Sequence, residues 1–334
     1  MKVPFFTTKA SLPPPKKDLC TGWRNILHAN QVSFGNDYFE ILDTLRHVSF
    51  RGRNYTEALV KHRNFILRSG LDFNRKVGVE IGPLCSPIVS KSEGEVLYVD
   101  HLDADGLASK YRSCSDVDPA KIAHVDLVWG DSSLKDLLNG KQVDYVFASH
   151  VAEHVPNLIA WLMEVHDILK ETGQLRVVLP DMRFSFDALR RETDPVSLLV
   201  PYLAGARQTQ LREILDHYLH RADNMDGWAR FEGLLDMNTV RPAHSYAEAV
   251  REAQCFLDRK NYVDIHSWAF TPKGFAENMA FLAKNDLLKM ACADFTDSAY
   301  PTLEFYVFFR PELDKAKAVD SWCRMAAACK DIPR

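Results

Sequence analysis

Through its middle the chain alternates short apolar, β-branched runs with helix-length amphipathic stretches. Val77-Gly-Val-Glu-Ile-Gly82 and Val96-Leu-Tyr-Val-Asp100 each close on an acid or a glycine, and Asp100 follows Glu80 by 20 residues. Near-continuous apolar runs of this length predict strands buried on both faces of a parallel sheet. Val125–Trp129, Asp144–Ser149 and Leu175–Leu179 predict three more, the last closed by Pro180-Asp181. Between the fourth and fifth runs the spacing predicts a helix with Pro156 in its first turn. Its apolar face is Leu158, Leu162, Val165 and Leu169, and Gly173 lies past its end. Strands alternating with helices predict an α/β fold with a doubly wound, mostly parallel, Rossmann-like sheet and right-handed crossovers.

The flanks read differently. Residues 1 to about 35 are Pro/Lys-rich and then polar, and are expected to wrap the surface. Tyr38 to Ser69 has a helical pattern. Residues 46–76 carry eight Lys/Arg against Glu57 and Asp72, either a solvated helix face or a lip that attracts an anionic substrate. Between about Met182 and Val263 the alternation stops. That stretch, rich in His, Arg, Asp and aromatics, predicts a helical insertion or lid over the carboxyl edge of the sheet, where open α/β sheets bind ligands. Core pattern resumes at His266-Ser-Trp-Ala-Phe270. Thr271-Pro272 starts a helix that buries Phe275, Met279 and Leu282. Leu303–Phe309 predicts a late strand and Ala316–Cys329 a terminal helix. The resulting division is an N-terminal extension (1–75), a core (76–184), an insertion (185–262), completion of the sheet (263–312) and a C-terminal helix (313–334).

Composition narrows the class. The 334 residues are 46% hydrophobic and 26% charged, as in ordinary globular proteins. A net charge of −4 argues against broad nucleic-acid binding. No apolar run approaches the roughly 18 residues of a membrane span, and the N-terminus lacks the apolar stretch of a signal peptide. Seven scattered cysteines with no C-x-x-C pair predict free thiols in a reducing compartment, so a cytoplasmic enzyme is expected.

His150-Val-Ala-Glu153-His154 spells the H-x-x-E-H pattern of some zinc proteases. That chemistry needs both histidines on one helical face. Here the first directly follows a strand, so the run is expected to be a strand-to-helix turn, with no metal. Glu153 and His154 either tie that turn together or act in catalysis.

The ordered motifs resemble class I S-adenosylmethionine-dependent methyltransferases. They are Glu80-Ile-Gly82, Asp100, Gly130-Asp131, Asp144-Tyr-Val-Phe-Ala-Ser-His-Val-Ala-Glu-His154 and Ile168-Leu-Lys-Glu-Thr-Gly-Gln-Leu-Arg-Val-Val-Leu-Pro-Asp181. The match covers about residues 76–184 and is nearest a type 11-like subgroup. Pro180–Asp187 is further similar to methyltransferases found among bacterial polysaccharide-building enzymes. The resemblance implies S-adenosylmethionine as cofactor, with S-adenosylhomocysteine as product. It places Glu80, Gly82 and Pro83 at the methionine and ribose end, and Asp100 with His101 at the ribose hydroxyls. Asp131 with Ser132 falls at the adenine amino group, and Ser149 with His150 at the sulfonium. One departure stands out: the family's G-x-G-x-G loop is Gly82-Pro-Leu-Cys-Ser-Pro87 here. Pro83 removes a backbone N–H, which a methionine tail tolerates better than a dinucleotide pyrophosphate does.

Methyl transfer to a hydroxyl needs alignment and a base. His150 or His154 is the expected base, with Asp181 a second acid/base candidate. Arg183 either orients a phosphate or carboxylate on the acceptor or is a surface arginine. His217, His220 and His244 are candidates by location in the insertion. The expected acceptor is a sugar, glycan end or other polar metabolite, and expected partners are a second copy or a glycosyltransferase. Two other classes stay open: a catalytically silent scaffold of a glycan-assembly complex, and an NAD-dependent oxidoreductase.

Overall fold

The computed structural model describes residues 53–114, 117–130, 132–259 and 262–330. The expected surface wrap of residues 1–35, the Tyr38 helix start and Asp131 lie outside the described residues.

The first described element is the helix α1 (Arg53–Arg68). The strands β1 (Val77–Ile81), β2 (Glu95–Asp100), β3 (Leu127–Val128), β4 (Val143–Ser149) and β5 (Leu169–Pro180) pair in parallel, in the order β3-β2-β1-β4-β5. A closing hairpin extends the sheet: β9 (Glu304–Pro311) runs antiparallel to β5, and β8 (Met290–Thr296) antiparallel to β9 at the edge. This is the doubly wound, mostly parallel sheet that the alternating pattern predicted. The strand order reverses between β1 and β4, which opens a crevice at their carboxyl ends. Gly82 and His150, the residues just past those two strands, sit at that switch point.

Period-two alternation sorts β4 between two cores. Tyr145 and Phe147 face α1, joining Ile66, Leu67 and Tyr306. Val146 and Ala148 face the opposite layer. That layer holds α4 (Leu158–Ile168), α9 (Pro272–Lys284) and α10 (Lys315–Ala328), with Trp161, Phe275 and Trp322 fully enclosed. Each such apolar side chain contributes roughly 1.5–3 kcal/mol by burial. Gly78 is where β1 must have no side chain, because a Cβ there would lie 2.0 Å from the Tyr145 ring.

The remaining helices are α2 (Ala104–Lys110) and α3 (Leu134–Leu137), then α5 (Pro195–Leu203), α6 (Leu211–His220), α7 (Gly227–Phe231) and α8 (Tyr246–Arg259) in the insertion. The insertion also holds a two-stranded ribbon, β6 (Ala222–Asp223) with β7 (Arg241–Pro242). No helix among the described residues is long and apolar enough to cross a membrane.

Several boundaries differ from the pattern. Pro156 precedes α4: Asn157 is the cap, its side-chain oxygen accepting from Ala160 N–H at 3.1 Å, so the helix starts at Leu158. Leu169 opens β5 instead of continuing the helix, and Gly173 lies inside that strand. Of the third run, Leu127–Val128 forms the strand, and the flanking Asp126 N–H and Trp129 N–H donate to Tyr98 O at 2.9 Å and Asp100 O at 2.7 Å. The edge strand β8 had no apolar alternation to announce it. Thr271 caps α9 as expected, its Oγ1 accepting from Gly274 N–H at 3.0 Å.

Candidate active site

The β1 tip is shaped by backbone geometry. Gly82 has φ +68°, donates its N–H to Val99 O at 2.9 Å, and could gain a Cβ only at 2.9 Å from Val151. Left-handed backbone in so close a space requires glycine. Pro83 is buried directly behind it. Glu80 has turned away from the crevice. Its carboxylate accepts from Ile88 N–H at 2.8 Å and Val89 N–H at 3.3 Å, holding the loop from below. Burial pushes this carboxyl up to about 7 despite those donors. Glu80 therefore serves the loop, a correction to its expected place against a cofactor.

The β2 tip carries Asp100, 7% exposed. Its Oδ1 accepts from His101 N–H at 2.7 Å and faces His101 Nδ1 at 2.6 Å. Lys110 Nζ lies 2.9 Å from His101 Nε2. An ammonium can only donate, so Nε2 accepts and the imidazole proton sits on Nδ1, directed at Asp100. No described residue donates to Asp100 Oδ2. Lys110 also pairs with Asp264 at 2.7 Å, and the Tyr262 ring packs 5.4 Å from that of His101. The chain leaving the insertion thus reaches the β2 tip. Ser132 is exposed beyond Gly130, and Ser149 is half-buried at the end of β4.

The turn after β4 brings together residues far apart in sequence. His150 adopts φ +54° and donates its N–H to Val178 O at 3.0 Å. Its Nδ1 faces Glu153 Oε1 at 3.2 Å and its Nε2 faces Glu304 Oε2 at 2.9 Å. Burial and the nearby Arg63 oppose charge on this ring, yet the two carboxylates hold its pKa above the ordinary value. His150 is thus held by Glu304 through Nε2 and faces Glu153 through Nδ1, a correction to its expected role as the base. With Nε2 committed to Glu304, His150 does not pair with His154 in the manner of a zinc protease.

Glu304 is itself buried and accepts from Arg63 through Nε at 2.9 Å and Nη2 at 2.7 Å, as well as from the Tyr306 hydroxyl. Burial works against its charge, but Arg63 and His150 keep the carboxyl well below the usual range. Of the basic run before β1, Arg63 meets Glu304, Arg68 meets Glu93 and Lys76 meets Asp144. His154 packs edge-on against His266, ring centroids 4.7 Å apart, with Nδ1 2.9 Å from Asp264.

Four other candidates lie elsewhere. Asp181 is fully buried and accepts from Arg183 at 2.6 and 2.9 Å and from Ser298 Oγ at 2.7 Å. An acid so enclosed is no general base, and the Arg183 guanidinium, buried with it, is no acceptor clamp. Both expectations are corrected. His217 is buried among Phe186 and Tyr218, and desolvation holds it well below its ordinary pKa. His220 is half exposed and pairs with Asp216 at 2.8 Å on its own helix. Neither reaches the strand tips. The sequence reading missed Arg63, Lys110, Asp264, His266 and Glu304. Only the acids immediately before the resumed core pattern and at the start of the late strand offered a signal.

No family model and no curated protein matches this sequence. Three solved structures are similar to this chain over much of their length. The CcbJ methyltransferase from Streptomyces caelestis is 9% identical, covering 75% of this chain and 95% of its own at a TM-score of 0.39. An S-adenosylmethionine-dependent methyltransferase from Clostridium acetobutylicum is 10% identical, covering 77% and 99% at 0.34. A Rhodobacter sphaeroides protein provisionally described as a Zn-dependent alcohol dehydrogenase is 12% identical, covering 86% and 98% at 0.41. At these values the likenesses carry no conclusion about activity.

Proposed function

We propose that this chain is an S-adenosylmethionine-dependent methyltransferase acting on a hydroxyl of a sugar, glycan end or similar polar metabolite. The observation that carries the reading is Asp100, buried at the β2 tip with Oδ1 fixed by His101 and no described donor on Oδ2. A carboxylate so placed accepts from a ribose hydroxyl beside the switch-point crevice. Gly82 and the buried Pro83 give that crevice a wall that backbone alone can line, which suits a methionine tail. The sheet supports the same choice over a dinucleotide. A dinucleotide fold adds a parallel sixth strand beyond the fifth, and here the reversed β9 takes that place.

S-adenosylmethionine, when bound, supplies an electrophilic methyl group. The chain aligns the acceptor, whose proton passes to water. Alignment is the larger contribution, since effective molarities of oriented groups are high. Ser149 and His150 stand at the crevice mouth. The acceptor proton leaves to solvent at the crevice mouth, and Glu153 and Glu304 flank the His150 ring and fix its orientation there. The insertion, joined to the β2 tip through Asp264, shapes the acceptor side.

Calorimetry of the full-length protein with S-adenosylhomocysteine tests the reading. Saturable binding near one equivalent is expected. Absence of heat with both S-adenosylhomocysteine and S-adenosylmethionine overturns it.

A further inference from the structure

We propose that Glu153, His154 and His266 form a site for one divalent transition-metal cation of the zinc class. One ligand atom from each residue lies within 4.8 Å of the others. Ligand atoms around a tetrahedral zinc are about 3.3 Å apart at the usual bond lengths. Loading therefore requires closure of up to about 1.5 Å, which side-chain torsions supply.

Glu153 is the independent sign of a missing partner. It is 1% exposed, and neither carboxylate oxygen receives a hydrogen bond from a described residue. The 3.2 Å contact with His150 is an ion pair without hydrogen-bond alignment. Buried carboxylate oxygens left this way are costly unless a cation completes them.

Each of the two histidines has a carboxylate beside its Nδ1. His266 Nδ1 meets Asp187 Oδ2 at 2.5 Å, and Asp187 is itself fixed by Arg190 at 2.9 Å. His154 Nδ1 lies 2.9 Å from Asp264, which Lys110 holds. At His266, whose Nδ1 hydrogen-bonds Asp187, this leaves the Nε2 lone pair for a metal, the arrangement that second-sphere acids enforce around zinc. The backbone is also set in place: Glu153 O accepts from both Ser267 N–H at 2.7 Å and Trp268 N–H at 3.2 Å. That clamp joins the β4 turn to the segment carrying His266. Two imidazoles and one carboxylate are a borderline-soft donor set, suited to zinc or cobalt and poorly suited to magnesium or calcium. The site stands independently of any methyl transfer.

The test is Co²⁺ titration of the full-length, chelator-treated protein, read by visible absorption. One equivalent with d–d bands of nitrogen and oxygen ligation is expected, without the near-ultraviolet thiolate band that the cysteines would give. Zn²⁺ displaces it and raises Tm. Glu153→Gln and His266→Gln each weaken Co²⁺ binding by at least about 10–100-fold. A wild-type protein that shows no d–d bands, or only thiolate charge transfer, overturns the site. So does unaltered binding in both variants.

Discussion

Glu304 Oε2 lies 2.9 Å from His150 Nε2, although the residues are 154 positions apart. The contact joins the last strand of the sheet to the turn after β4, and Arg63 on α1 closes it from the other side. Glu304→Gln leaves the Arg63 guanidinium and the His150 ring without their shared anion. Breaking a buried pair from one side costs about 3–5 kcal/mol, and the partial exposure of Arg63 puts this case near the lower end. Urea unfolding of the full chain measures it. A change below about 0.5 kcal/mol contradicts the pairing.

Asp100→Ala is expected to weaken S-adenosylhomocysteine binding by about 1–3 kcal/mol, the range for losing a buried polar partner. Calorimetry at constant pH reads it directly. Unchanged affinity removes Asp100 from the site.

Asp181 and Arg183 act as one unit of structure. Arg183→Met strands a fully buried carboxylate and should cost about 3–5 kcal/mol. Adding Asp181→Asn recovers part of that loss, giving a coupling of about 0.5–3 kcal/mol in a double-mutant cycle. If Arg183→Met instead raises the KM for acceptor at unchanged stability, the arginine belongs to the acceptor site after all.

Two buried groups give stability opposite slopes with pH. Burial lifts Glu80 to about 7, so its proton is held longer in the folded chain than in the unfolded one. Its contribution is complete below about 4.5 and declines as pH rises to 7. Desolvation pulls His62 down to about 4, even against the attraction of Glu304. Its contribution is complete above about 6.5 and is lost as pH falls to 4. Each amounts to about 3 kcal/mol across its window. Relative to wild type, Glu80→Gln should therefore gain with rising pH, and His62→Gln should gain with falling pH. Denaturant midpoints measured from pH 4 to 7.5 check both signs.

Much of the sheet was legible because β1, β2, β4 and β5 are buried on both faces, and burial writes itself as unbroken apolar runs. Where a strand is an edge, that pressure disappears. β8 mixes Ala, Cys and Asp, and its pairing comes from β9 rather than from its own pattern. The candidate site was legible only as motif positions. Asp100 ends β2 with one oxygen free of described donors, whereas Glu80, Asp181 and Arg183, from the same motifs, are tied into the scaffold.

The sequence by itself determined which segments are buried, and with them the doubly wound sheet and the places of Gly82, Asp100 and His150 at its carboxyl edge. Local periodicity suffices for this, because each strand and helix answers to its own neighbours within a few residues. Only the tertiary structure decided which charged groups meet: Glu304 with His150 and Arg63, Asp264 with Lys110 and His154, and Asp187 with His266. Coulomb and hydrogen-bond partners are set by distance in space, and the folds of the chain that create those distances leave no periodic trace along it.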